Sequence, residues 1–230
     1  MAYLEINNIY KKWNEFNLDI SFQSEENTFT SIVGPSGSGK STTLRIIAGL
    51  AKNDRRNDGK EFSIFLDGKK ISDLPANKRM CGMVFQNHSL FLNMNVIDNV
   101  AYGLKCRGYS KNDRYEIARE YLKKVELAGF EKRDPATLSG GEAQRVSLAR
   151  TLIIKPKLIL FDEPLSAIDA PLRKKLASEI LNLKKEFGFT SVMVTHDLNE
   201  AKMMSDKIII LKNGLINWQG NSTDFREDML

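Results

Sequence analysis

FTSIVGPSGSGKSTTLRIIAGL, residues 29–50, decides the fold. Phe29 to Val33 is a short apolar run with β-branched residues, the composition of a strand. STTLRIIAGL, from Ser41, has helical character, and Gly49 stands where a helix stops. Between them, Gly34-Pro35-Ser36-Gly37-Ser38-Gly39-Lys40-Ser41 matches GxxxxGK[ST]. Each part has a chemical reason. Glycines let backbone N–H groups curl round an anion without Cβ clashes. A helix N-terminus behind the loop adds positive potential. Lys40 reaches the β- and γ-phosphates and Ser41 ligates Mg²⁺, with Thr42 the next nucleotide-binding candidate. A plain turn from strand to helix needs neither the lysine nor the serine, so the pattern implies a nucleoside triphosphate. It does not say what the nucleotide is for.

Outward from this unit, Tyr3–Ile9 and Phe16–Phe22 read as an antiparallel strand pair. Downstream, AKNDRRNDGK (51–60) is a polar surface loop, EFSIFLDGKK enters a turn at Asp67-Gly68, and CGMVFQ (81–86) is an apolar strand. Residues 87–154 differ in character. Ile117, Tyr121, Leu122 and Val125 recur at spacings of three and four, and a second helix runs from about Gly140 to Ile154. These predict a helical subdomain inserted into an α/β core. Strand and helix then alternate again. LILFD (158–162) is a continuous apolar run of buried-strand type. Leu172, Leu176, Ile180, Leu183 and Phe187 mark one face of a long helix. TSVMVTH (190–196) is a strand, DLNEAKMMS a short helix with Asp197 near its start, and DKIIILKNGLINWQG a hairpin about Asn213-Gly214.

The chain has 230 residues, of which 42% are hydrophobic and 27% charged. That supplies a core for one large α/β domain and excludes disorder. The net charge of +5 fits a solvated basic surface, or a preference for polyanions. Cys81 and Cys106 have neither disulfide-framework nor zinc spacing. The start, MAYLEINNIYKKW, lacks the apolar run of a signal peptide, and no window approaches the ~18 apolar residues of a membrane helix. Any service to a membrane is therefore expected to come by docking.

LILFDEP supplies a second half-site. Asp162, at the end of a buried strand, is placed to hold Mg²⁺. Its neighbour Glu163 is placed to act as general base on the water that attacks the γ-phosphate. Two solvated acids before a proline turn is the plainer reading, and the upstream phosphate loop weighs against it.

Leu138-Ser139-Gly140-Gly141-Glu142-Ala143-Gln144-Arg145 resembles the signature motif of ATP-binding-cassette ATPases. Its serine and glycines open the helix VSLARTLI with a hydroxyl and bare amides. The resemblance implies that the signature residues Ser139, Gly140 and Gly141 of one subunit complete the ATP site of another in a dimer, read as a homodimer. It also implies roles for matched positions. Gln86 resembles the family's Q-loop glutamine, touching Mg²⁺ and the attacking water. His196 resembles the switch histidine at the γ-phosphate, whereas His88 has no match and reads as surface or loop. LSAID (165–169) resembles the D-loop, with Asp169 near the partner's site. Trp13 resembles the aromatic that stacks on adenine, with Tyr10 the competing choice. The implied fold class is α/β: a P-loop NTPase core with a mixed sheet, an antiparallel β subdomain and an inserted α-helical subdomain. It is one domain over 1–230, with 1–86 and 155–230 as core and 87–154 as the helical part. Departures are mild: SEENTF lacks the expected Gly in its turn, and Leu92 stands where Pro is common.

GMVFQNHSLFLNMNVIDNVAYGL is similar to bacterial importer subunits that serve polyamines, ferric iron, sulfate, molybdate, sugars or thiamine. The short chain ending near INWQG is similar to the thiamine type. The implied partners are a second ATPase copy, an integral membrane permease and, indirectly, a solute-binding protein, with no nucleic acid. ATP and Mg²⁺ are the implied cofactors, and the cytoplasmic face of the inner membrane is the implied location. Three alternatives stand beside this. One is an exporter or lipoprotein-release ATPase, another a soluble cassette protein acting on ribosomes or DNA. The third, an inactive regulator, conflicts with intact Lys40, Asp162, Glu163 and His196.

Overall fold

The computed structural model describes residues 2–13, 16–166, 168 and 170–226. In chain order the strands are β1 (Leu4–Lys12), β2 (Asn17–Ser24), β3 (Phe29–Val33), β4 (Ser63–Leu66), β5 (Lys69–Lys70), β6 (Cys81–Val84), β7 (Leu158–Asp162), β8 (Thr190–Thr195), β9 (Lys207–Lys212) and β10 (Leu215–Asn221). The helices are α1 (Lys40–Ala48), α2 (Val96–Cys106), α3 (Lys111–Lys124), α4 (Gly140–Leu152), α5 (Ala170–Phe187) and α6 (Leu198–Met204).

The strands form a ten-stranded sheet in the order β5-β4-β1-β2-β10-β9-β3-β8-β7-β6. One half is parallel, β9, β3, β8, β7 and β6. The other is built on the antiparallel pairs β1/β2, β1/β4 and β9/β10. The parallel half explains its own sequence. On β7, Leu158 and Leu160 join the apolar cluster that includes Leu44, Ile46 and Ile47 of α1, while Ile159 and Phe161 join the cluster of the opposite face. A strand covered on both sides has no polar face to show, so the run reads continuously apolar.

Helices α2, α3 and α4 lie within residues 87–154, and Val96, Val100, Leu122, Val146 and Leu152 bury there. Their cluster also takes in Phe29 and Phe161 of the sheet and Leu176, Ile180 and Leu183 of α5. The helical segment therefore shares a core with the sheet.

Local signals act where expected. Asp67 and Gly68 take φ of 51° and 68°, Asn213 and Gly214 48° and 76°, the mirror-image turns that close hairpins. SEENTF lacks its Gly because Asn27, at φ 57°, takes the left-handed position that asparagine tolerates. The first strand runs past Ile9 to Lys12. The loop after α1 holds it, with Asn53 Oδ1 accepting from Tyr10 N at 2.7 Å and Asp54 Oδ2 from Lys12 N at 2.9 Å.

Candidate functional site

Four adjacent parallel strands, β3-β8-β7-β6, end on one side of the sheet. Right-handed strand–helix connections leave a crevice at such carboxyl ends. The loop 34–39 follows β3, His196 follows β8, Asp162 closes β7 with Glu163 next, and Gln86 lies two residues past β6. Residues spread over the whole sequence are thereby set side by side.

The loop needs its glycines. A Cβ on Gly34 would lie 2.0 Å from the Leu211 carbonyl oxygen, and Gly39 takes φ 101° at the head of α1. Lys40 is only 5% exposed. Its ammonium donates to the Gly34 and Pro35 carbonyls at 2.8 and 2.9 Å, leaving the third proton of the amine uncommitted. Burial lowers its pKa, and the charges of Glu163 and Asp162 oppose that. Ser38 is buried, with a hydroxyl that has no partner.

A cavity of about 360 Å³ is lined by Trp13, Phe16, Ser36, Gly37, Gly39, Lys40, Ser41, Thr42 and Glu163. Clefts of 640 and 860 Å³ lie elsewhere, so the chemistry of the lining and not size selects this one. Trp13 stacks on Phe16 at 4.9 Å with the rings 16° apart. Tyr10 is outside the lining, under the Arg56 guanidinium at 4.9 Å. Phe16 carries no motif in the sequence, where it stands at the head of an apolar strand pattern, yet it lines the cavity.

Ser41 Oγ donates to Asp162 Oδ1 at 2.7 Å. Two hard oxygen donors in contact suit Mg²⁺, which takes one or two protein oxygens and completes its shell with phosphate and water. Among the described residues no group of three or more His, Cys, Asp or Glu is placed to hold a metal ion.

Glu163 takes φ 48°, a left-handed backbone that costs a non-glycine residue about 1–2 kcal/mol. Its N–H is fixed by the Val194 carbonyl at 3.0 Å, so β8 holds the strained residue in place. Its Oε2 lies 3.1 Å from His196 Nδ1 and 3.5 Å from Gln86 Nε2. Gln86 Nε2 also donates to Ser166 Oγ at 3.1 Å. Gln86, Glu163 and His196 thus meet, and no bond carries Gln86 to Ser41 or Asp162.

The signature residues are elsewhere. Ser139 caps α4, its hydroxyl accepting from Glu142 N at 3.3 Å while Glu142 Oε2 accepts from Ser139 N at 2.8 Å. That bond lowers the Glu142 pKa. The helix start is thus partly closed by its own carboxylate. Gly140 is exposed with open space about it, and none of Ser139, Gly140 and Gly141 lines the cavity. Asp169 lies outside the described residues. His88 lies in the loop after β6, half-buried rather than at the surface, with Nδ1 2.6 Å from Gln144 Oε1 on α4.

The sequence profile of the ABC transporter family matches residues 18–166. The chain belongs to that family. The cassette is 45% identical over 222 residues to "Fe(3+) ions import ATP-binding protein FbpC" of Brucella abortus (strain 2308), and equally to "Fe(3+) ions import ATP-binding protein FbpC 1" of Rhizobium meliloti (strain 1021). Each match covers 96% of this chain and 61% of the relative, so the chain spans about three-fifths of the length of these curated relatives. It is also similar to a solved ATP-binding cassette, MJ0796, a dimer in a post-hydrolysis state bound to ADP and Pi. That likeness has a TM-score of 0.81 at 34% identity, over 96% of this chain and 100% of the other. No helix among the described residues is long and apolar enough to cross a membrane.

Proposed function

We propose that this cassette binds and hydrolyses Mg·ATP and that two copies power import of a solute, of the ferric-iron class, through a separate membrane permease fed by a solute-binding protein. The observation that carries hydrolysis is the Glu163–His196 contact beside a cavity that also holds Lys40. The solute class rests on the names of the relatives at 45% identity, and no cassette residue is assigned to the solute.

The chemistry divides among the chain's own residues. Trp13, backed by Phe16, offers a flat face to adenine. Amides of 36–41 and the free proton of Lys40 hold the β- and γ-phosphates. Ser41 and Asp162 would hold Mg²⁺, which neutralises charge on the phosphates when bound. Glu163 takes a proton from water as the water oxygen bonds to the γ-phosphorus. The bond from the γ-phosphorus to the β,γ-bridging oxygen breaks, and that oxygen leaves with its electron pair as part of ADP. His196 holds the Glu163 carboxylate through Nδ1–H, and Gln86 steadies the same oxygen. Ser139, Gly140 and Gly141 stand away from the cavity, which supports the reading that they act at the site of a second copy.

The test is phosphate release by the purified chain with Mg·ATP, together with mass identification of proteins held by the tagged chain in gently solubilised membranes. Turnover, a polytopic membrane protein and a solute-binding protein are expected. No phosphate release would overturn hydrolysis, and ribosomal proteins without a membrane partner would overturn import.

A further inference from the structure

We infer that Arg173 is a positioning residue for this hydrolysis: its guanidinium ties the turn leaving Glu163 to the turn carrying His196. Arg173 lies in the first turn of α5. One amino group donates to Asp197 Oδ2 at 2.9 Å and the other to the Ile168 carbonyl at 3.0 Å. These acceptors belong to two segments that come off neighbouring strands, β7 and β8.

Each segment also has bonds of its own. Past Glu163 the chain makes a turn in which Ser166 Oγ donates to the Glu163 carbonyl at 3.1 Å. Leu165 and Ile168 bury their side chains, and the Ile168 carbonyl is the group Arg173 takes. Past His196, Asp197 caps α6 by accepting from Asn199 N at 2.8 Å and Glu200 N at 3.3 Å. Its own N–H donates to Thr195 Oγ1 at 3.0 Å, and that hydroxyl donates to buried Glu200 at 2.6 Å. His196 sits between Thr195 and Asp197 with its side chain 57% exposed, so its backbone turn and the Glu163 contact are what aim it. Arg173 connects that turn to the one that carries Glu163.

A guanidinium is a planar fork able to reach two acceptors at once, whereas an ammonium is a single point. Lysine at this position keeps the charge opposite Asp197 and loses the span. A residue acting only through charge or packing would be replaced adequately by lysine, and this makes the conservative variant the discriminating one.

The inference rests on the hydrolysis proposed above, and its test separates the two. Arg173→Lys and Arg173→Ala are compared with the parent chain for kcat and KM toward Mg·ATP, for thermal midpoint, and for the His196 ring signal in proton NMR. The chain has two histidines, so His88 serves as the internal reference. Both variants are expected to lose at least about tenfold in kcat with KM within about twofold and the midpoint nearly unchanged, and to shift the His196 signal while that of His88 stays. Added to Glu163→Gln, neither should slow the reaction further. Parental kcat in Arg173→Lys, or a His196 signal that does not move in Arg173→Ala, would overturn the tie. A parent chain that hydrolyses no ATP while the His196 signal still shifts would refute the function and leave the tie standing.

Discussion

Glu163 Oε2 and His196 Nδ1 stand 3.1 Å apart, at the ends of the paired parallel strands β7 and β8. A carboxylate accepts, so the imidazole Nδ1–H donates, and the contact fixes where the carboxylate oxygen lies. The strained φ of 48° at Glu163 is the backbone counterpart of that aim.

Gly34 and Gly140 should respond oppositely to alanine. At Gly34 the added carbon would meet the Leu211 carbonyl oxygen at 2.0 Å, and backbone cannot step aside. Gly34→Ala is expected to cost at least about 2 kcal/mol in a denaturant melt and to abolish ATP binding. At Gly140 nothing lies within 4 Å, so Gly140→Ala should fold as well as the parent and bind ATP normally while hydrolysing it slowly. Normal turnover in Gly140→Ala would remove the signature from the reaction.

Much of this arrangement was legible in the sequence, because periodicity and turn chemistry are local. Phe29–Val33 stands as a strand at the bounds read from composition alone, and the strand read over TSVMVTH ends one residue earlier, at Thr195. The phosphate loop, Asp162, Glu163 and His196 were legible because motif and strand end coincide. Long-range bonds were not. Nothing near His88 announces Gln144, 56 residues away, and nothing near Arg173 announces Asp197, 24 residues away. Phe16 was hidden for a different reason: it looks apolar in a strand and stacks on Trp13 in space.

Trp13 can be observed directly. The chain has two tryptophans, so Trp218→Phe leaves Trp13 as the sole indole. Adding ATP to that variant should change its fluorescence, and Trp13→Ala should weaken ATP binding by about 1–2 kcal/mol, or roughly tenfold. Tyr10→Ala should leave ATP affinity nearly unchanged, and a larger loss there than at Trp13 would reverse the assignment.

Ser41 and Asp162 share one bond, and their substitutions should share one phenotype. Asp162→Asn and Ser41→Ala are expected to raise the Mg²⁺ concentration needed for half-maximal turnover, and chelation with EDTA should stop turnover in the parent. Turnover that persists in excess EDTA would contradict the metal reading.

Glu200 predicts a pH dependence of stability. Burial pushes its carboxyl up to about 7, with Thr195 donating to one oxygen and the other unpartnered. The folded chain thus keeps the proton that the unfolded chain releases above its usual carboxylate range. Stability from this group is full below about pH 4.5 and is lost progressively as pH rises toward 7, by up to about 3 kcal/mol. Glu200→Gln cannot ionise, so its melting temperature should climb relative to the parent between pH 5 and pH 8. A difference constant across that range would show Glu200 ionised throughout.

The central claim is that Glu163 is the base. Phosphate release by Glu163→Gln, measured beside its ATP affinity, tests it most directly. The substitution keeps the shape of the side chain and removes the proton acceptor, so turnover should fall at least about 10²-fold with ATP affinity kept and the nucleotide-bound dimer trapped. Near-parental phosphate release would contradict the account and send the search for the base to another group around the cavity.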